Sequence, residues 1–181
     1  FSASFRKSDL LLKCNPIEIR MLPESKYRGI DCPNSWWSST VTNNNITVKT
    51  AGGDCKTKNI IYASTCKLCT KNNVYSGKSV NELRTRVNGH RSKFYDLIDS
   101  YNKDNNFALK SDEIDDENIL GAHLFVEHNV RDKSLFNEHY KFDILCKCEP
   151  DNLRKNEQFY IDKLNTRKPF GLNQINSVSG R

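Results

Sequence analysis

"IIYASTCKLCTKNNVYSGKS" spans residues 60–79. Two β-branched and aromatic runs, "IIYAS" (60–64) and "NVYSG" (73–77), flank a polar "TKNN" segment that suits a turn, so the stretch reads as a β-hairpin. Each arm carries one tyrosine, Tyr62 and Tyr75, and the tip carries Cys66 and Cys69. A Cys-x-x-Cys pair is a common half of a tetrahedral zinc site. His123 and His128 offer a second half, spaced like a zinc-finger histidine pair. The gap from 69 to 123 is far longer than in a compact finger. Two buried thiols and two surface histidines account for the same residues.

C-terminal to the hairpin, Ser79 with Glu82 three residues later has the form of a capping box. Leu83, Val87, Phe94, Leu97, Ile98 and Tyr101 recur at helical spacing. Arg86 and His90 are one turn apart and share a face of this helix. Residues 102–118 are polar and acidic and read as a flexible insertion. Residues 119–130 form a second helix ending near Asn129. "YKFDILCKC" (140–148) alternates, with Tyr140, Phe142, Ile144, Cys146 and Cys148 on one side, which predicts a half-buried strand with two core thiols. A third helix starts after Pro150, with Asp151 or Asn152 as N-cap. Its stripe is Leu153, Glu157, Tyr160, Ile161 and Leu164. Glu157 stands out, because a carboxylate on an apolar stripe is costly unless it is paired or holds a cation.

N-terminal to the hairpin, "IEIRML" (17–22) and the pair "STVT" and "ITVKT" around Asn43, Asn44 and Asn45 read as short strands, and "AGGD" (51–54) as a break. The resulting expectation is an α+β fold: a small three-stranded antiparallel sheet flanked by helices, residues 57–176, behind an irregular N-terminal extension, residues 1–56.

Net charge is +6, although five acids crowd into residues 112–117. A basic body with one acidic loop suits a polyanionic partner, nucleic acid first. No apolar run approaches the roughly 18 residues of a membrane span, so no membrane partner is expected. Seven cysteines, an odd count, argue against a disulfide scaffold and fit metal ligation plus buried thiols in a reducing compartment. Cys14, Cys32 and Cys55 offer three ligands of a further zinc site without a clear fourth. Trp36 and Trp37 are candidates for core anchors or base-stacking wedges.

Taken in order, "IIY" (60–62), "YSG" (75–77), "LRTRVNGH" (83–90) and "NEQFYIDKLNTRKPFGLN" (156–173) resemble the four motifs of the GIY-YIG nuclease family. The likeness is closest to the endonuclease domain of Penelope-like retroelements, whose hairpin also carries Cys-x-x-Cys and whose last motif resembles "LNTRKPFGLN". Ile60 and Ser76 depart from the usual motif residues. The resemblance implies a metal-dependent DNA endonuclease with Tyr62, Tyr75, Arg86, His90, Glu157 and Asn173 in its catalytic site. Glu157 would hold Mg²⁺ or Mn²⁺ and Arg86 the scissile phosphate. Tyr62 would activate water with help from Tyr75 or His90, and Asn173 would orient substrate or support the site. Gly77, Lys78, Arg84, Arg91 and Lys93 are the expected substrate-binding positions. Cys66, Cys69, His123 and His128 would hold structural Zn²⁺. An upstream reverse transcriptase domain in the same polyprotein and a nuclear location follow from the same likeness. The rival readings are a non-catalytic, zinc-stabilised nucleic-acid-binding module and a repair or junction-resolving nuclease of the same family.

Overall fold

The computed structural model describes residues 38–71, 73–104, 107–110 and 113–174. The expected strand at 17–22, Cys14, Cys32, Trp36 and Trp37 lie outside them. Two strands, β1 (Thr40–Asn43) and β2 (Ile46–Lys49), form one hairpin. β3 (Ile60–Cys66) and β4 (Val74–Ser79) form the second. There follow α1 (Leu83–Lys103), α2 (Ile119–Glu127), the single turn α3 (Phe136–His139), β5 (Tyr140–Lys147) and α4 (Leu153–Leu164). The fold is α+β, with an antiparallel three-stranded sheet in the order β4-β3-β5.

The sheet is apolar on both faces because both are covered. Ile60, Tyr62, Tyr75, Phe142 and Ile144 pack on one side with Leu83, Val87 and Phe94 of α1 and Leu120 and Leu124 of α2. Ile61, Ala63 and Val74 pack on the other with Leu153, Tyr160 and Leu164 of α4 and with Val41 and Val48 of the first hairpin. β5 is therefore buried almost throughout rather than half-buried. Its alternation also breaks. Tyr62 pairs with Ile144 while Ile61 pairs with Cys146, so Leu145 is an extra residue in the ladder. That bulge moves Cys146 and Cys148 to the α4 side, away from Tyr140 and Phe142, where simple alternation had put them. Both remain buried, as expected of core thiols.

The start of α1 differs from the expected capping box, while α4 starts at one of its two expected N-caps. Ser79 is the last residue of β4, and Glu82 stands at the N-cap of α1 without a side-chain cap bond. The first amides of α1 find backbone carbonyls instead: Leu83 N donates to Thr57 O and Arg84 N to Cys55 O. At α4 a 3-10 turn over Pro150–Asn152 leads into the helix, and Asn152 at the N-cap makes no side-chain cap bond.

The C-terminal loop is stitched to both hairpins. Asn43, fully buried, donates through Nδ2 to the carbonyls of Leu164, Asn165 and Phe170 at 2.8–3.0 Å. Asn173, also buried, spans the main chain of Ser76: its Oδ1 accepts from Ser76 N at 2.9 Å and its Nδ2 donates to Ser76 O at 2.8 Å. In effect Asn173 is a short piece of strand on the open edge of β4. Asn173→Ala leaves both Ser76 groups buried and unpaired, which should cost about 2–4 kcal/mol. A fall in melting temperature of about 5–15 °C is expected; an unchanged melting curve would show that the β4 edge does not depend on this side chain.

Candidate functional site

β3 and β4 put Tyr62 and Tyr75 on the face that α1 covers, and both rings are buried. Gly77 is paired with Tyr62 in the ladder. A Cβ there would come within 2.6 Å of Tyr75 Cε1 and 2.8 Å of the Tyr62 hydroxyl. The glycine makes room for the rings, a packing role. From α1, Arg86 and His90 reach the same hydroxyl: Arg86 Nε donates to Tyr62 Oη at 3.1 Å, and His90 Nε2 lies 2.7 Å from it. Tyr75 stands edge-on to His90, with ring centroids 5.9 Å apart.

Charge on these groups is set mainly by burial. Tyr62 is pushed above the ordinary tyrosine range by burial; Arg86 pulls it back without winning. It is a neutral phenol in this arrangement. His90 is held down at about 3, by burial first and then by the Arg86 charge, so it is a neutral imidazole. Its Nδ1 lies 2.9 Å from the Glu117 carbonyl, which can only accept. The proton therefore sits on Nδ1, and the bare Nε2 accepts from Tyr62.

Unfolded, His90 takes a proton below about pH 6.5; folded, it does not until about 3. Stability should therefore fall as pH drops through that window. Asp116, Asp143 and Glu157, all raised by burial, act in the opposite sense as they protonate. Comparing wild type with His90→Gln isolates the histidine. Denaturant midpoints at pH 7 and pH 5 should drop more in wild type, and equal drops would remove His90 as the cause.

Glu157 sits at the margin of the α4 stripe, its side chain 15% exposed, while its neighbour Asn156 takes the buried place. Lys78 of β4 donates from Nζ to Glu157 Oε2 at 2.5 Å. Burial raises the Glu157 carboxyl, Lys78 lowers it, and the Asp116 charge raises it again. Glu157 lies within electrostatic reach of both Tyr62 and Tyr75. The chemistry of this group suits a hard cation, which takes one protein carboxylate and completes its shell with water and phosphate; Lys78 now satisfies that carboxylate. Among the other expected substrate contacts, Arg84 is exposed and paired with Glu82. Arg91 is half-buried and Lys93 exposed on α1. Asn173 supports β4.

Two residues not singled out in the sequence join the site. Asp116 O accepts from Arg86 Nη2 at 3.2 Å, and Glu117 O faces His90 Nδ1. Both come from the acidic segment read as a flexible insertion. Their contribution is a main-chain carbonyl, which no side-chain pattern announces.

At the other end of the hairpin, Cys66, Cys69, His123 and His128 come together, with one ligand atom from each lying within 4.8 Å of the others. Cys69 Sγ lies 3.2 Å from His123 Nε2 and 3.1 Å from His128 Nε2. Cys66 Sγ lies 3.6 Å from His128 Nε2, and the two imidazole nitrogens are 3.2 Å apart. A tetrahedral zinc with ordinary bond lengths needs S···N edges of about 3.5 Å and an N···N edge of about 3.3 Å. The four side chains could hold such an ion. Burial, then neighbouring Cys66, push the Cys69 thiol up to about 12. Burial and then His128 hold His123 down at about 4, which leaves it neutral and ready to ligate. Cys55 is disulfide-bonded, so it is neither a ligand of the further zinc site nor one of the metal ligands and buried thiols expected of the seven cysteines.

Compared with known families, curated proteins and solved structures, the chain matches none. No described helix is long and apolar enough to cross a membrane.

Proposed function

We propose that the chain is a divalent-cation-dependent DNA endonuclease of the GIY-YIG type, stabilised by zinc. The observation that carries this reading is the convergence of Arg86 and His90 on the Tyr62 hydroxyl, at 3.1 and 2.7 Å, with Glu157 in electrostatic reach. A phenol between a cation and a neutral imidazole can pass a proton on. As Tyr62 takes a proton from an attacking water, it gives its own to His90 Nε2. Arg86 stabilises charge developing on the phenol oxygen, and its planar fork suits the scissile phosphate. Tyr75, buried and edge-on to His90, shields the pair from bulk water. Mg²⁺ or Mn²⁺, when bound, would polarise the phosphate and stabilise the leaving 3′ oxygen. Glu157 would hold it, with Lys78 released to the phosphate backbone. Cys66, Cys69, His123 and His128 would hold Zn²⁺ with no open position, tying the hairpin tip to α2. On the resemblance to Penelope-like endonucleases, such nicking would occur in the nucleus and would prime synthesis by a reverse transcriptase in the same polyprotein.

The Lys78–Glu157 ion pair favours a second reading. It gives the carboxylate a structural partner, so a zinc-stabilised DNA-binding module without catalysis has a use for it. A supercoiled-plasmid assay separates the two. The folded, zinc-loaded chain is expected to produce open circles with Mg²⁺ and none when Mg²⁺ is omitted. DNA binding without nicking would leave the binding module.

A further inference from the structure

The geometry points to Asp115 and Asn118 as positioning residues that set the tautomer of His90, through the turn they lock at the foot of the acidic segment. The reasoning starts from what His90 touches. Its Nδ1 faces a carbonyl, so the ring presents a bare Nε2 to Tyr62. Without that carbonyl the ring has no reason to prefer this form, and an imidazole with its proton on Nε2 could not accept from a phenol. The Glu117 carbonyl thus decides whether His90 can take a proton at all.

Two side chains aim that carbonyl. Asp115 Oδ1 accepts from Glu117 N and Asn118 N, both at 2.9 Å. Asn118 Oδ1 accepts from Asp115 N at 3.0 Å, and Asn118 Nδ2 donates to Glu113 O at 2.7 Å. The backbone continues the lock into α2, with Ile119 N donating to Asp115 O and Ala122 N to Asn118 O. The two carbonyls between the braces, of Asp116 and Glu117, then point at Arg86 and His90. Among the described residues, neither Asp115 nor Asn118 makes a side-chain hydrogen bond to Tyr62, Arg86 or His90. They act through the main chain, beside a direct upward pull of the Asp115 charge on the His90 pKa. The charged and titratable groups around His90 are Arg86 on its own helix, Tyr62 and Tyr75 on the sheet, and Asp115 on the turn.

The positioning matters for catalysis only if the nuclease reading holds, so the test reads the ring directly. Long-range proton–nitrogen spectra of the full, zinc-loaded chain report the tautomer of each histidine, and His90→Gln assigns the signal. Wild-type His90 is expected to carry its proton on Nδ1 and to stay neutral across pH 5–8. Asp115→Ala is expected to give mixed tautomers in a ring that stays neutral across pH 5–8, because the burial and the Arg86 charge that hold its pKa down are unchanged. Asp115→Asn keeps the accepting oxygen and should restore the wild-type spectrum. Asn118→Ala tests the second brace, should Asp115→Ala fail to fold. A wild-type His90 protonated on Nε2, or an Asp115→Ala spectrum unchanged from wild type, would overturn the inference. Nicking by the same proteins separates the two readings. A wild type that cuts no DNA yet shows the tautomer and its loss in Asp115→Ala would support the positioning role and end the nuclease reading.

Discussion

Glu157→Gln is expected to lower plasmid nicking by roughly 10²–10³-fold, with little change in fold or DNA affinity. The amide keeps the size of the carboxylate and can still accept a hydrogen bond from Lys78 Nζ, the contact made in the resting structure. What it loses is the negative charge that a hard cation requires. Arg86→Ala should cost a similar factor by a different route. It removes the donor to Tyr62 Oη and the charge that steadies the phenol oxygen. Because Arg86 also anchors the Asp116 carbonyl, Arg86→Lys is the better control. A lysine keeps the charge but not the fork, and should recover only a small part of the activity. Rates measured under saturating Mg²⁺ decide the matter. Equal nicking by wild type and Glu157→Gln would place the cation elsewhere and leave the Lys78–Glu157 pair as a structural contact.

Loss of zinc is the second large effect. Cys69 has short contacts to both His123 and His128, so Cys69→Ser removes the ligand at the centre of the set. Zinc content is expected to fall from one ion per chain to near none. An ion present at a thousandfold its dissociation constant contributes about 4 kcal/mol, so melting should drop by about 8–16 °C. Ligation needs thiolates, and the Cys69 thiol is pushed up to about 12 in the metal-free arrangement. Zinc uptake at neutral pH should therefore release protons, Cys69's among them, seen as a buffer-dependent heat of binding. A Cys69→Ser chain that keeps its zinc, or melts like wild type, would show that the cluster is not a metal site.

Much of this was legible because it depends on side-chain pattern. The hairpin at 60–79, the stripe of α1 and the pairing of Arg86 with His90 follow from β-branched runs and a 3.6-residue period. What was hidden depends on the main chain. The extra residue at Leu145 leaves no mark on a pattern that still alternates, yet it turns Cys146 to the other face. The capping box read at Ser79 and Glu82 misplaces the start of α1, whereas Asn152 does stand at the N-cap of α4, without a side-chain cap bond. The acidic run at 112–117 looks like a solvated insertion, because acids in series signal repulsion and nothing in their order says which carbonyls they aim. Glu157 was recognisable as an odd residue on an apolar stripe. That its neighbour Asn156 takes the buried place was not.

Asn43 has one further consequence, for the order of events as the chain is made. It joins the first hairpin to carbonyls 121 to 127 residues downstream. Closing so long a loop has little to reward it until both ends exist. On a ribosome the first hairpin emerges early, with Val41 and Val48 turned toward a surface that does not yet exist. Those two valines cannot complete their packing until α4 and the loop after it have been synthesised. Of the described elements, hairpin β1–β2 is thus made first and docked last, and the interval between is when the nascent chain is open to wrong partners.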